Sequence, residues 1–167
     1  DLLHVFYWSY FVIAILPGAL LYARGELEKV REFAAVLATS FFLSYLGYFV
    51  VPAVGPHHLH AARPPELDGW VLGRPLHAAL MEIEWRMPDA FPSGHVLVTL
   101  TVLFLSWKLH RRAFWCILLP GAGVVAATMI LRYHYIMDVL AAAAILPGAI
   151  LAGTWLHRLR EQRSVRG

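Results

Sequence analysis

The sequence predicts an all-α, polytopic bundle of transmembrane helices, and three observations predict it. Apolar residues make up 59% of the 167-residue chain, above the roughly 45–50% of a soluble domain, and the mean hydropathy is +0.60. Five apolar stretches, at residues 2–22, 33–51, 96–109, 114–131 and 139–156, approach the roughly 20 residues that cross a bilayer as a helix. Most of the lysines and arginines flanking those stretches fall on one side. With no internal repeat, low-complexity tract or second hydrophobic pattern, residues 1–167 read as a single transmembrane domain.

The first stretch has no basic start and no small-residue cleavage site, so it reads as a retained helix and not as a signal peptide. After the second, the connection at 52–91 is rich in proline, glycine, histidine and acids, too polar to cross. A loop that long without structure of its own is unusual. Within it Leu76, Leu80, Ile83 and Met87 recur at helical intervals over residues 76–87, predicting a helix that lies along the membrane interface. The third stretch is short, and needs Ser93 to His95 or Trp107 to Lys108 to complete it. Pro17, Pro120 and Pro147 fall inside spans, where a kink is tolerated in lipid. Tyr7, Trp8, Tyr22, Tyr48, Trp107 and Trp155 cluster near predicted ends, as interface anchors do.

Charge sets the expected orientation. Arg24, Lys29 and Arg31 follow the first stretch, Lys108, Arg111 and Arg112 the third, and Arg158, Arg160, Arg163 and Arg166 the fifth: ten of the fourteen basic side chains. The positive-inside rule makes that side cytoplasmic, leaving Arg63, Arg74, Arg86 and Arg132 on the extracytoplasmic side with the loop at 52–91. The formal net charge of +3 and pI near 9.3 are thereby explained by membrane topology, and no nucleic-acid partner is expected. The tail after His157 reads as a topology determinant that touches anionic lipid. A lone Cys116 excludes an intrachain disulfide and a cysteine-only metal site.

Two polar segments interrupt this apolar chain, and unpaired polar groups at membrane depth are costly unless they serve a purpose. In Phe91-Pro92-Ser93-Gly94-His95, proline, a favoured N-cap serine and a following apolar run mark a helix start. The amides of Gly94, His95 and Val96 would then converge on one anion-binding spot, with Gly94 permitting close approach of a phosphate oxygen and His95 placed as a general acid. In His134-Tyr135-Ile136-Met137-Asp138 the outer pair are four apart, hence neighbours on a helix face. A carboxylate on one imidazole nitrogen orients the other for attack. His134 is the candidate nucleophile and Asp138 its orienter.

Blander readings stand beside these. Histidines at helix ends are often hydrogen-bonded interface residues; a transporter or haem-binding subunit would use His95 and His134 as axial ligands; Asp138 also suits a helix N-terminus. His57, His58 and His60 form a cluster that a transition metal would accept, but no cysteine or carboxylate partner stands at a recognisable spacing, so it reads as polar loop and no metal site is assigned.

Pro92-Ser93-Gly94-His95 with His134-x-x-x-Asp138 resembles the type 2 phosphatidic acid phosphatase superfamily, which includes vanadium haloperoxidases, across residues 48–144. The run at 127–138 is similar to the branch containing inositol phosphorylceramide synthases. The resemblance implies a haloperoxidase-like helical core, a phosphohistidine on His134, His95 as general acid, Asp138 as support for the nucleophile, phosphate binding by Ser93 and Gly94, and a phosphatase reaction needing no metal or other cofactor. It implies a lipid phosphate substrate handled among membrane lipids, by a multi-pass protein of a plasma or inner membrane with an extracytoplasmic site. A degenerate member that binds lipid phosphate without turnover is the alternative. The chain departs from the pattern twice: Pro56 stands where the first motif's lysine is expected, although Arg63-Pro64 is present, and Thr128 replaces an arginine. Other cations are expected to meet the charge of the transition state, Arg132 first, then Arg63, Arg74 and Arg86. Members commonly have six spans, so a further helix before Asp1 is expected.

Overall fold

The computed structural model describes residues 1–56, 65–84 and 90–166. Among them six α-helices follow in the order α1 (Leu2–Ala23), α2 (Leu27–Val50), α3 (Gly73–Glu84), α4 (Gly94–Leu109), α5 (Arg111–Ile130) and α6 (Ile136–Arg166), with one 3-10 turn at Pro65–Asp68. The fold is all-helical, as expected. Four helices, α1, α2, α5 and α6, are long and apolar enough to cross a membrane.

The third apolar stretch becomes α4, which has 16 residues and takes in Gly94 and His95 at one end and Trp107 and Lys108 at the other. Its shortness has a structural counterpart, because α4 is central: it packs against α1, α2, α5 and α6, and Val96, Leu97, Val98, Val102 and Leu105 are all buried. Helix α2 begins at Leu27 and α6 runs on to Arg166, well outside the apolar stretches. Polar residues beyond the lipid stay helical because they are good helix formers and pair along the face, as Glu28 does with Arg31 and His157 with Glu161.

The core is built from Ile13 and Leu21 of α1, Phe33 and Val36 of α2, Val98, Val102 and Leu105 of α4, and Ile117 and Val124 of α5. Small and hydroxylated residues let the helices approach, the usual device where lipid offers no hydrophobic contrast. A Cβ on Gly153 of α6 would run into the backbone of Val36, and Thr101 Oγ1 donates to Ser40 Oγ across the α2–α4 seam at 2.9 Å. Facing outward are Val12, Ile15, Phe42, Phe49, Leu119 and Leu151, all exposed. An apolar belt of that extent is a lipid-facing surface, and the protein is a membrane protein.

At one end of the bundle the charges pair off. Glu26 bonds Lys29 and Arg24, and the Lys29 hydrogen bond, then that of Arg24, holds its carboxyl below the usual range. Lys108 pairs with Glu32, and the Arg111 guanidinium lies 3.3 Å over the Trp107 ring. At the other end α3 packs on α1: Trp8 Nε1 donates to the Leu76 carbonyl at 3.1 Å, and the Asp1 carboxylate accepts from the amides of Trp70, Val71, Leu72 and Gly73 just ahead of α3.

Two local expectations are corrected. Tyr7 is 1% exposed, a core residue and not an interface anchor, whereas Tyr22 and Trp107 are exposed near helix ends and Trp155 is exposed well inside α6, where its apolar part gives way to charged sequence. On α3 the buried face is carried by Leu80 with Met81 packed beside it, while Ile83 is 65% exposed. Met87 lies outside the described residues. Ile83 lies only about 60° around the helix from Leu80, but it falls in the last turn of α3, which ends at Glu84.

Candidate active site

The first motif folds as a capped helix start. Ser93 is the N-cap of α4, and its Oγ accepts from the Val96 amide at 3.3 Å. One of the three amides expected to face an anion is therefore occupied by the cap, leaving those of Gly94 and His95 in the first turn. Gly94 has a packing reason of its own: a Cβ there would run into the Tyr48 hydroxyl and meet Ser44 Oγ at 3.3 Å, both on α2. Gly47 is likewise required by the Pro92 ring, which would occupy its Cβ position.

The second motif is positioned by the turn between α5 and α6. The Thr128 carbonyl accepts from the amides of both Tyr133 and His134, each at 3.0 Å, which reverses the chain and turns His134 inward. The Thr128 side chain itself bonds back to the Val125 carbonyl at 2.7 Å. Asp138 sits in the first turn of α6, and its Oδ2 accepts from the Tyr135 amide at 2.8 Å. The same oxygen lies 3.5 Å from His134 Nδ1. A closer acceptor, the Ala90 carbonyl, is 3.0 Å from that nitrogen. Two acceptors on Nδ1 place the proton there and leave Nε2 as the lone-pair nitrogen. Asp138 thus has both a capping and an orienting position, with a backbone carbonyl beside it that no spacing rule names.

The two motifs meet directly. The Ser93 amide donates to the Asp138 carbonyl at 3.1 Å, and the rings of His95 and His134 lie 6.1 Å apart, centroid to centroid. His134 and Asp138 are buried. His95 is also flanked by two rings of α1, Tyr10 at 4.4 Å and Tyr7 at 4.7 Å, with Tyr7 Oη 3.3 Å from His95 Nδ1. Tyr7 packs on Tyr133, whose hydroxyl is 2.8 Å from His77 Nδ1 on α3. Tyr7, Tyr10, Tyr133 and Ala90 escaped the sequence reading. The only available signal was the i, i+3 pair of tyrosines on one face of the first span.

Of the candidate cations, Arg132 lies on the turn two residues before His134, exposed, with φ of +59°. Among the described residues its side chain makes no ion pair. Arg74 is exposed on α3. Arg63, Arg86 and the His57, His58 and His60 cluster lie outside the described residues, as does any geometry of the loop arginine-proline pair.

An apolar groove of about 550 Å³ runs between α1 and α2, lined by Tyr10, Phe11, Ala14, Leu37 and Phe41 among others, with Val98 of α4. Tyr10 is shared between this groove and the ring contact to His95.

A family model described as PAP2 superfamily matches residues 1–152 of the chain. No curated protein and no solved structure matches it.

Proposed function

Because the chain belongs to the PAP2 superfamily, we propose that it is a membrane-embedded phosphoryl-transfer enzyme acting on lipid phosphate esters or diphosphates through a phosphohistidine on His134. The observation that carries this reading is the pairing of two imidazoles from separate segments, 6.1 Å apart, one of them with Nδ1 held by two acceptors. His134 Nε2 attacks phosphorus, the phosphorus–oxygen bond to the lipid breaks, and His95 gives its proton to the departing oxygen. An acceptor hydroxyl then attacks the phosphohistidine; His95 takes up its proton and His134 is released. Water as acceptor makes the enzyme a phosphatase. A hydroxyl on inositol, a sugar or another lipid makes it a transferase, and the similarity of residues 127–138 to inositol phosphorylceramide synthases favours that outcome.

The apolar groove at Tyr10 supports a lipid substrate, since it offers a hydrocarbon chain a path from the bilayer to His95. Ser93 and Gly94 start the helix whose first amides receive the phosphate, and Arg132, exposed two residues before His134, supplies a cation. The site faces the extracytoplasmic side, opposite the basic end of the bundle.

The test is a panel of lipid phosphates and diphosphates given to the protein in detergent, with and without inositol and other alcohols, following free phosphate and new lipid products. Turnover is expected to survive EDTA and to be inhibited by vanadate. His134→Ala is expected to abolish it, and His95→Ala to lower it by about 10²–10⁴-fold on alkyl esters. Near-normal turnover of folded His134→Ala would end the proposal.

A further inference from the structure

We infer that Tyr7 is the positioning residue for His95, holding its Nδ1–H and thereby assigning proton exchange to Nε2. The inference rests on the reading of His95 as the general acid. His134 has its Nδ1 held by Ala90 and Asp138, and His95 needs an equivalent. What stands at its Nδ1 is the hydroxyl of Tyr7, 3.3 Å away, on a side chain 1% exposed and 88 positions distant in sequence.

The chemistry decides which partner donates. To protonate a leaving oxygen His95 must begin as imidazolium, with hydrogen on both nitrogens, so Tyr7 Oη can only accept. After transfer from Nε2 the neutral ring keeps Nδ1–H, and the same bond persists. In the second half-reaction Nε2 takes the acceptor's proton and the imidazolium returns. Tyr7 accepts throughout, and no rearrangement is asked of it. A neutral tautomer with the proton on Nε2 would have Tyr7 donate, and would leave no lone pair on Nε2 to act as base.

The Tyr7 ring is itself fixed. It packs 4.7 Å from His95 and 4.7 Å from Tyr133, and Tyr133 is bonded to His77 of α3. Tyr10, one turn along α1, packs 4.4 Å from the same imidazole, so α1 holds His95 with two rings. Among the described residues, the titratable side chains in contact with His95 include Tyr7 and Tyr10 from α1 and His134 from the α5–α6 turn.

Tyr7→Phe keeps the ring and removes the hydroxyl. A general acid matters for an alkyl phosphate, whose leaving oxygen must be protonated, and little for 4-nitrophenyl phosphate, whose leaving group departs as the anion. The kcat/KM for each substrate reports only the steps up to that departure. Tyr7→Phe is expected to lower kcat/KM by about 10–100-fold for an alkyl lipid phosphate and by less than about threefold for 4-nitrophenyl phosphate, with His95→Ala showing the same asymmetry more strongly. Equal losses on both substrates, or none, with His95→Ala asymmetric, would overturn the role of Tyr7 while leaving the proposed function standing. Wild-type protein inactive on every phosphate would instead remove the function reading and this inference with it. A measurement free of any Tyr7 variant is nitrogen NMR of ¹⁵N-histidine-labelled wild-type protein, with the His95 signals identified by their loss in His95→Asn. The neutral ring is expected to carry its proton on Nδ1; a proton on Nε2 would refute the inference.

Discussion

Asp138 shows how one side chain can be placed for fold and for the proposed chemistry at once. Its Oδ2 accepts from the Tyr135 amide at 2.8 Å and lies 3.5 Å from His134 Nδ1, so the two functions can be separated by substitution. Asp138→Asn keeps a carbonyl oxygen for the cap but loses the charge that stabilises an imidazolium-like His134. Its stability is expected to change by less than about 1 kcal/mol, while turnover falls about 10²-fold or more. Asp138→Ala loses the cap as well, a further cost of about 1 kcal/mol. Thermal unfolding in detergent beside turnover checks both, and an Asn variant of full activity would assign the orienting task to the Ala90 carbonyl alone. Arg132→Gln tests the cation: a roughly 10-fold or greater loss in kcat/KM is expected if the guanidinium meets the phosphate, and an unchanged value would remove it from the site. The candidate histidines and Asp138 were legible in the sequence as a helix start and an i, i+4 pair, although His134 lies on the turn before α6 and not on the helix face the spacing predicts. Ala90 meets His134 through its backbone carbonyl, which no side chain announces, and Tyr7 reaches His95 across 88 positions, where its i, i+3 pairing with Tyr10 marks a helix face but not a partner.

The helices themselves were legible from hydropathy, and their ends were not. Apolar length reports where lipid begins, whereas a helix ends where its backbone hydrogen bonds do, so α2 and α6 extend into charged sequence held by ion pairs. Which face of each helix turns inward was equally hidden, because near-uniformly apolar segments have no polar side to mark the outside. Glycines carry that information instead. Gly153 of α6 sits against the Val36 backbone of α2, where a methyl group would displace main chain and not a pliable side chain. Gly153→Ala is therefore expected to destabilise the bundle by about 1–3 kcal/mol, read as a lower unfolding midpoint in detergent. A neutral result would show that α2 and α6 can slide apart without cost. Ala at Gly47 acts nearer the site, since the Pro92 ring it would meet leads directly into Ser93.

The whole molecule is polarised along its axis. Ion pairs and the basic residues of the α1–α2 and α4–α5 turns occupy one end, while the paired histidines, the α5–α6 turn and α3 occupy the other. That separation turns a statistical rule about charge into a physical prediction about one protein. If the basic end is cytoplasmic, a lipid phosphate in the outer leaflet meets His134 and His95 without crossing the membrane, and any acceptor alcohol must come from that side too. Cys116 is the lone cysteine, exposed on α5, so after Cys116→Ser single cysteines can report each end. Val71→Cys, at an exposed position just ahead of α3, is expected to react with a membrane-impermeant maleimide in intact cells. Arg160→Cys, exposed near the end of α6, is expected to react only after permeabilisation. The reverse pattern would move the site to the cytoplasmic leaflet and change which lipids and which acceptors can reach it, while leaving the pairing of the two imidazoles untouched.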